Sequence, residues 1–234
     1  MNAQPIYRAD GGLLGVEMLL RLGDVPALDV IAAAESMGRL VELEWAIIRH
    51  CIRQAAEFPD VGCVHINVTT GTLARRGGEV EIVQMLERYN VEPTRICFEL
   101  SERSDLVGSF ESASTLSVLS KMGIGFSIDD FGVGFNHLHV ARLIAINSLK
   151  VDQSIVHAAC RGGDIDARGR ARRLLLGLNL LARELGAELI LEGIEDTAEH
   201  QLMFAMNCAG QGYHLGRPVP LSEVLRVSRI HEVA

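Results

Sequence analysis

Six oxygen-bearing side chains stand at or near the ends of predicted strands and are spread along most of the chain. They are Glu17, Asn67, Glu99, Asp129, Asp130 and Glu192. Carboxylate and amide oxygens are hard ligands that suit Mg²⁺ or Mn²⁺. Carboxylates gathered in one place would repel one another, and divalent cations would relieve that repulsion. The pattern predicts a metal site wherever the fold brings these strand ends together.

A lysine and a glutamine extend this polar set. Lys150 lies in the sixth predicted strand, and Gln211 opens the eighth. Lys121 and Lys150 are the only lysines among 22 basic residues, so arginine is the usual cation of this chain. A lysine carries a compact charge that can titrate, which an arginine cannot. Lys150 is therefore a candidate catalytic residue.

Short apolar runs rich in β-branched residues alternate with longer amphipathic stretches along the chain, which favours an α/β fold. The predicted strands are Pro5–Arg8, Gly15–Leu20, Val64–Val68, Ile96–Leu100, Gly125–Asp130, Ser148–Asp152, Glu188–Ile194 and Gly210–Leu215. The predicted helices include Ala27–Arg39, Leu43–Glu57, Glu79–Tyr89, Ser109–Met122 and Ala171–Leu185. Eight strands with helices between most of them indicate a TIM-like (β/α)8 barrel, in which the strand ends converge on one mouth.

Two segments depart from a regular alternation. Only the short turn Ala9-Asp10-Gly11-Gly12 separates the first two strands. A parallel crossover needs a dozen or more residues, so this turn predicts a hairpin and one antiparallel strand in the barrel. The segment Arg161–Arg173 is rich in glycine, aspartate and arginine and is predicted to be a surface loop.

Length and composition limit the possible functions. A chain of 234 residues fits one barrel domain, predicted here to span 1–234 with a minimal N-terminus. A net charge of −8 excludes a broad basic surface for long nucleic acid. The five cysteines are scattered, which is typical of reduced thiols in a cytoplasmic protein. The longest apolar stretch, Leu174–Ala182, is too short to cross a membrane.

The motifs that carry these residues resemble the EAL domain family. The chain reads Glu17-Met18-Leu19-Leu20-Arg21 where the family usually has Glu-Ala-Leu-x-Arg. Further matches follow in family order: His65-Ile66-Asn67-Val68, Phe98-Glu99-Leu100-Ser101-Glu102, Asp129-Asp130-Phe131-Gly132, Leu149-Lys150-Val151-Asp152, Glu192-Gly193-Ile194-Glu195 and Gln211-Gly212-Tyr213. The resemblance implies a bacterial phosphodiesterase that opens cyclic di-GMP to linear pGpG, with a TIM-like barrel that contains one antiparallel strand and with a homodimer as its expected assembly.

The resemblance also implies a role for each matching residue. Glu17, Asn67, Glu99 and Asp129 would hold one divalent cation, Mg²⁺ or Mn²⁺, and a bridging Asp129 would join Asp130 and Glu192 on a second. The implied catalytic residues are Lys150, Glu17 and Glu195. Arg21, Leu19 and Gln211 would contact the substrate, Arg21 through a phosphate. Glu102 and Asp152 would support the residues that bind the metals, with Glu102 anchoring the loop after the fifth strand.

That loop departs from the family pattern. It usually reads Asp-Asp-Phe-Gly-Thr-Gly-Tyr-Ser-Ser, whereas Val133 and Phe135 here lack the two hydroxyls. The departure leaves open a second function, that of a non-catalytic cyclic di-GMP receptor or protein-docking module. A barrel enzyme acting on another phosphodiester or on an enolate is a third possibility, supported only by the acidic mouth.

Overall fold

Eight β-strands close into a barrel in the order β1 to β8, in a computed structural model that describes residues 1–100, 110–132 and 142–225. The strands are β1 (Asn2–Tyr7), β2 (Leu13–Leu19), β3 (Cys63–Val68), β4 (Ile96–Leu100), β5 (Gly125–Phe131), β6 (Ser148–Val151), β7 (Glu188–Leu191) and β8 (Ala209–Gly210). From β2 to β8 all neighbouring strands are parallel. The carboxyl ends of these seven strands therefore meet at one mouth.

The first strand runs against both of its neighbours. It pairs antiparallel with β2 and with β8, which confirms the predicted TIM-like barrel with one antiparallel strand. The turn between β1 and β2 is closed by backbone hydrogen bonds from Arg8 to Gly12 and from Gly11 to Arg8. Gly11 has φ +84°, a left-handed conformation that glycine adopts without steric cost. The short glycine turn therefore forces the hairpin, as its length predicts.

Helices cover the outside of the barrel. They are α1 (Ala27–Ser36), α2 (Leu40–Glu57), α3 (Thr70–Leu73), α4 (Gly78–Tyr89), α5 (Phe110–Lys121), α6 (Gln153–Arg161), α7 (Ile165–Glu184) and α8 (Thr197–Met206), with 3₁₀ turns at Pro59–Val61 and Pro93–Arg95. Among the described residues, no helix is long and apolar enough to cross a bilayer. None of the α1 residues is buried, so this helix adds little to the core.

The two faces of the strands differ sharply in polarity, because successive side chains of a strand point to opposite sides. The outward faces carry buried residues such as Val64, Ile66 and Phe98, which belong to the large core shared with the helices. The inward faces carry buried polar residues, among them Glu17, Glu99 and Lys150. A small separate cluster of Ile6, Ile190 and Ala209 lies on the inward faces of β1, β7 and β8.

The prediction of a surface loop at Arg161–Arg173 is wrong. Helix α6 ends at Arg161, and only three residues separate it from α7, which begins at Ile165. The Asp164 carboxylate accepts a hydrogen bond from the Ala167 backbone N–H at 2.7 Å and so caps α7. The glycines and aspartate of this segment form the break between two helices, and its arginines continue as a helix because arginine is a good helix former.

The last three strands of the barrel end earlier than predicted. Strand β6 ends at Val151, β7 at Leu191, and β8 contains only Ala209–Gly210 in place of the predicted Gly210–Leu215. Gln211 therefore follows β8 and does not open it. The chain turns after Gln211, where the Leu215 and Gly216 backbone N–H groups donate to the Gly212 carbonyl. Glu192 and Gln211 consequently lie just beyond the strands, at the mouth.

The backbone passes very close to Gly212. A Cβ atom there would lie 2.2 Å from the backbone nitrogen and oxygen of Ile194, atoms that cannot move aside. We expect Gly212→Ala to lower the free energy of unfolding by roughly 1–3 kcal/mol, the usual cost of overpacking. Gly177 in α7 is a matched control, because a Cβ there meets nothing within 4 Å. Urea denaturation should show that Gly177→Ala raises the free energy of unfolding by about 0.5–1 kcal/mol. Equal stability of Gly212→Ala and the wild type would contradict the close contact between Gly212 and Ile194.

Candidate metal centre

The Lys150 ammonium lies at the centre of an acidic cluster inside the barrel mouth. Its Nζ atom is 2.9 Å from Glu192 Oε1, 3.0 Å from Glu99 Oε2, and 3.2 Å from both Glu17 Oε2 and Asp129 Oδ1. Its side chain is only 1% exposed. These carboxylates come from β2, β4, β5 and the end of β7, and the lysine from β6. The barrel thus brings together residues that are up to 175 positions apart, as the strand-end pattern predicts.

Glu17 links this cluster to the rest of the mouth. Its Oε1 accepts a hydrogen bond from Asn67 Nδ2 at 2.7 Å, and its Oε2 accepts one from Gln211 Nε2 at 2.7 Å. Gln211 Nε2 also lies 3.2 Å from Gln4 Oε1, on the opposite strand of the hairpin. Neighbouring amides thus fix both oxygens of Glu17, so the carboxylate has one defined orientation.

An unusual backbone conformation brings Asp130 to the same mouth as Asp129. Adjacent residues of a strand normally point to opposite faces. Asp130 has φ +53°, in the left-handed region, and the pairing of β5 with β6 shifts register between Ile128 and Phe131. One carboxylate oxygen from each of Asp129, Asp130 and Glu192 lies within 4.8 Å of the others. The local break in the strand therefore places two consecutive aspartates on one side.

Burial and the lysine act in opposite directions on the acidic residues. Burial raises the pKa of Glu17, but the Lys150 ammonium and the hydrogen bonds from Gln211 and Asn67 outweigh it and lower that pKa to about 2. Burial raises the pKa of Glu192 to about 8, against the lowering effect of Lys150. Burial disfavours the charged form of Lys150, yet the surrounding carboxylates raise its pKa well above the ordinary value. Lys150 is therefore an ammonium ion surrounded by carboxyl groups.

The residues present fit a divalent cation. Four carboxyl groups surround one ammonium, and Asp130 adds a fifth, so the pocket is rich in oxygen donors for a cation. The buried Asp129 Oδ1 lies 3.2 Å from Lys150 Nζ but makes no hydrogen bond among the described residues. A buried carboxylate oxygen without a hydrogen bond is costly unless a cation compensates it. The donor set consists entirely of oxygens, which suits Mg²⁺ or Mn²⁺.

Two cavities open beside the cluster. The larger, of about 640 Å³, lies between α1, α2 and the ends of β2 and β3, and its lining includes Leu19, Asn67 and Glu99. The smaller, of about 310 Å³, is bordered by Glu17, Glu192 and Gln211. Asp130 lines both cavities. The acidic cluster thus stands between two spaces that could hold two parts of one ligand.

Comparison with known proteins identifies the family. The model of the EAL domain matches residues 1–218. The chain belongs to the EAL domain family. It is 28% identical over 237 residues to the bifunctional diguanylate cyclase/cyclic di-GMP phosphodiesterase MucR of Pseudomonas aeruginosa, covering 96% of this chain and 34% of MucR. It is 29% identical over 217 residues to the signaling protein YkoW of Bacillus subtilis, covering 89% of this chain and 26% of YkoW.

Solved structures agree with this family. The PaMucR phosphodiesterase in complex with c-di-GMP superposes with a TM-score of 0.82 at 26% identity, covering 95% of this chain and 92% of that one. The FimX EAL domain of Xanthomonas citri shares the fold, with a TM-score of 0.81 at 18% identity. The match covers 94% of this chain and 87% of that one. The chain spans about a third or less of the length of the two curated relatives. The resemblance inferred from the motifs is thereby confirmed at the level of family and fold.

The remaining predicted residues of this EAL domain lie at varying distances from the cluster. Asp152 and Glu195 border the smaller cavity. The Asp152 side chain accepts a hydrogen bond from the Ser154 backbone and caps α6, and the Glu195 carboxylate lies 3.3 Å from Arg161 Nη1. Arg21 is exposed just after β2 and lines neither cavity in the described part of the chain. Glu102, Val133 and Phe135 lie outside the described residues.

The sequence reasoning gave no role to two buried residues that belong to the cluster. His65 Nδ1 lies 2.9 Å from Glu99 Oε1, and Gln4 contacts Gln211. Burial lowers the pKa of His65, but its hydrogen bonds with Cys63 and Glu99 outweigh burial and raise that pKa to about 10. His65 precedes Asn67 by two positions on β3, so the alternation of strand faces was the signal that places it in the barrel interior.

The left-handed conformation of Asp130 permits a test of its predicted role as a metal ligand. Asparagine tolerates this region, so we expect Asp130→Asn to keep the stability of the wild type within about 0.5 kcal/mol. Removal of one carboxylate charge should weaken Mn²⁺ binding at least about tenfold, measured by isothermal titration calorimetry. Asp130→Ala is the control, because alanine in this conformation should also cost roughly 1–2 kcal/mol of stability. Unchanged Mn²⁺ affinity in both variants would remove Asp130 from the ligand set.

Proposed function

We propose that this EAL domain is a phosphodiesterase that uses two divalent cations to hydrolyse cyclic di-GMP to linear pGpG. The observation that carries the proposal is the contact of Lys150 with four carboxylates at 2.9–3.2 Å, with Asn67 and Asp130 beside them. Each position that the family uses for a metal ligand holds an oxygen donor.

The substrate assignment rests on a relative and on the shape of the mouth. The solved PaMucR phosphodiesterase, a complex with c-di-GMP, is 26% identical to this chain. Cyclic di-GMP carries two guanine bases on a ring that contains two phosphodiester groups. The two cavities on either side of the cluster offer space for the two halves, with a phosphodiester held between them. We assign Leu19 and Gln211 to contacts with this substrate, and Arg21 to a phosphate through its planar guanidinium.

The chain's own residues have distinct tasks in this reaction. Glu17, Asn67, Glu99 and Asp129 would hold one cation, and Asp129, Asp130 and Glu192 the second. When bound, two such cations lower the pKa of a water and neutralise the charge of the diester. The Lys150 ammonium, already directed at the same carboxylates, would orient that water and stabilise negative charge that develops on the phosphate. Gln211 and Asn67 fix the Glu17 carboxylate, so the site is organised before the substrate arrives.

Incubation of the purified protein with cyclic di-GMP and either Mg²⁺ or Mn²⁺, followed by chromatography, tests this function. We expect pGpG to appear, and addition of EDTA to stop its formation. Metal-dependent binding without any pGpG would instead identify a non-catalytic receptor, the second function that the motifs left open. Absence of both binding and product would overturn the proposal. A cytoplasmic location and a homodimer belong to the same proposal, and fractionation and light scattering test them separately.

A further inference from the structure

Two buried glutamates outside the acidic cluster contact the loops that follow ligand-bearing strands. Glu44 lies on α2 and is 8% exposed, and Glu199 lies on α8 and is fully buried. Each accepts backbone hydrogen bonds from a loop that leaves the barrel mouth. Neither residue contacts the cluster around Lys150 in the described parts of the chain. A buried carboxylate is costly unless its oxygens accept hydrogen bonds. The hydrogen bonds to each loop therefore indicate which part of the chain each glutamate holds in place.

Glu199 holds the loop that follows Glu192. Its Oε2 accepts hydrogen bonds from the backbone N–H groups of Glu195 at 2.7 Å and Asp196 at 3.3 Å. The Arg161 guanidinium lies 2.9 Å from the same carboxylate and balances its charge. The contacted amides are three and four residues beyond Glu192. The position of Glu192 is thereby fixed from β7 on one side and from Glu199 on the other.

Glu44 holds the loop that follows Asn67 in a similar way. Both of its carboxylate oxygens lie within 3.2 Å of the Thr69 backbone nitrogen, and Oε2 also accepts the Thr69 hydroxyl at 2.8 Å. Thr69 is two residues beyond Asn67 and caps the short helix α3 through the Thr72 backbone N–H. A single carboxylate therefore fixes the point at which the chain turns away from the mouth.

We propose that Glu44 and Glu199 are positioning residues, and that each one orders a different metal site. This inference rests on the proposed function, which assigns Asn67 to one cation and Glu192 to the other. Glu44 acts through Thr69 on the cation held with Asn67, and Glu199 acts through the 195–196 amides on the cation held with Glu192. Outer groups that orient metal ligands typically change metal affinity by about 10–100-fold when they are removed.

Titration of the folded protein with Mn²⁺, followed by calorimetry and by the electron paramagnetic resonance signal of free Mn²⁺, measures both sites without any turnover. We expect Glu199→Ala and Glu44→Ala each to weaken one of two Mn²⁺ sites about 10–100-fold and to leave the other unchanged. Glu87→Ala, at an exposed glutamate on α4, is the matched control and should bind like wild type.

Conservative variants separate positioning from a general loss of stability. A glutamine oxygen can still accept the loop N–H groups, so Glu199→Gln and Glu44→Gln should bind Mn²⁺ within a few-fold of wild type. Aspartate is one methylene shorter, so Glu199→Asp and Glu44→Asp should resemble the alanine variants. These variants also provide the test if an alanine variant fails to fold. Equal Mn²⁺ binding by the folded aspartate, glutamine and wild-type proteins would overturn the proposal.

Combined variants show which site each glutamate serves. The losses of Mn²⁺ affinity caused by Glu199→Ala and Glu44→Ala should add, because the two residues order the sites of different cations. Glu199→Ala should weaken Mn²⁺ binding little further in an Asp130→Asn background, because both changes affect the cation held with Glu192. Additive behaviour of that last pair would contradict the assignment. If the wild-type protein binds no Mn²⁺, the proposed function fails. If it binds two ions and both alanine variants do the same with wild-type affinity, only this inference fails.

Discussion

A Lys150→Met variant is expected to hydrolyse cyclic di-GMP roughly 10²–10⁴-fold more slowly than the wild type at saturating Mn²⁺, the range by which a positioned proton-transfer or charge-stabilising group accelerates a reaction. Methionine has a similar length but no charge, so it fills the space without orienting water. Initial rates of pGpG formation measure the effect. Lys121→Met is the matched control, because Lys121 is the chain's other lysine and lies exposed at the end of α5.

The same substitution should also reveal the electrostatic role of the lysine. Without Lys150, the carboxylates of Glu17, Glu99, Asp129 and Glu192 lose the ammonium that all four contact. Removing one partner of a buried ion pair usually costs about 3–5 kcal/mol, so thermal unfolding in EDTA should occur at a clearly lower temperature. Added Mn²⁺ should recover part of that loss by mass action. A turnover within tenfold of wild type would exclude Lys150 from the chemistry.

Glu17→Gln is expected to have the second large effect. Glu17 accepts hydrogen bonds from Asn67, Gln211 and Lys150, and its low pKa, about 2, keeps it ionised at neutral pH. A glutamine amide cannot accept at both ends, so at least one of these donors loses its partner, and the metal ligand loses its charge. A metal ion contributes several kcal/mol of transition-state stabilisation, and each 1.36 kcal/mol is tenfold, so turnover should fall about 10³-fold or more.

The measurement for Glu17→Gln is the rate of pGpG formation over a range of Mn²⁺ concentrations. We expect a slow rate throughout and a higher Mn²⁺ concentration for half-maximal activity. Glu87→Gln, at the exposed α4 position, controls for the general effect of exchanging a glutamate. Wild-type activity of Glu17→Gln at low Mn²⁺ would show that this carboxylate binds no cation needed for catalysis.

The sequence predicted the architecture well where short-range rules determine it. The glycine turn at 9–12 is too short for a crossover, and the hairpin follows from its length. Glu17, Glu99 and Lys150 meet because parallel strands in a closed barrel share one mouth, so their predicted proximity needed only the strand assignments. The prediction of a loop at Arg161–Arg173 was wrong because it relied on the glycine, aspartate and arginine content, although Asp164 provides a helix cap and arginine favours helix.

Other features of the site depend on tertiary contacts that no local pattern reveals. The left-handed backbone of Asp130 results from the register shift between β5 and β6, and the motif alone does not show that both aspartates face the same side. Glu44 reads as an ordinary helix glutamate, because its partner is the Thr69 backbone amide 25 residues away, whose position is set by packing. The early end of β8 at Gly210 likewise follows from the close approach of Gly212 to Ile194.

Anomalous diffraction from crystals soaked with Mn²⁺ tests the central claim most directly. We predict two manganese peaks at the barrel mouth, one bound by Glu17, Asn67, Glu99 and Asp129, and the other by Asp129, Asp130 and Glu192. Metal–oxygen distances near 2.1 Å and a separation of roughly 3.5–4 Å are expected for a pair that acts on one phosphodiester. Manganese elsewhere, or no peak in contact with Glu17, Asp129 or Glu192 at saturating concentration, would contradict the account.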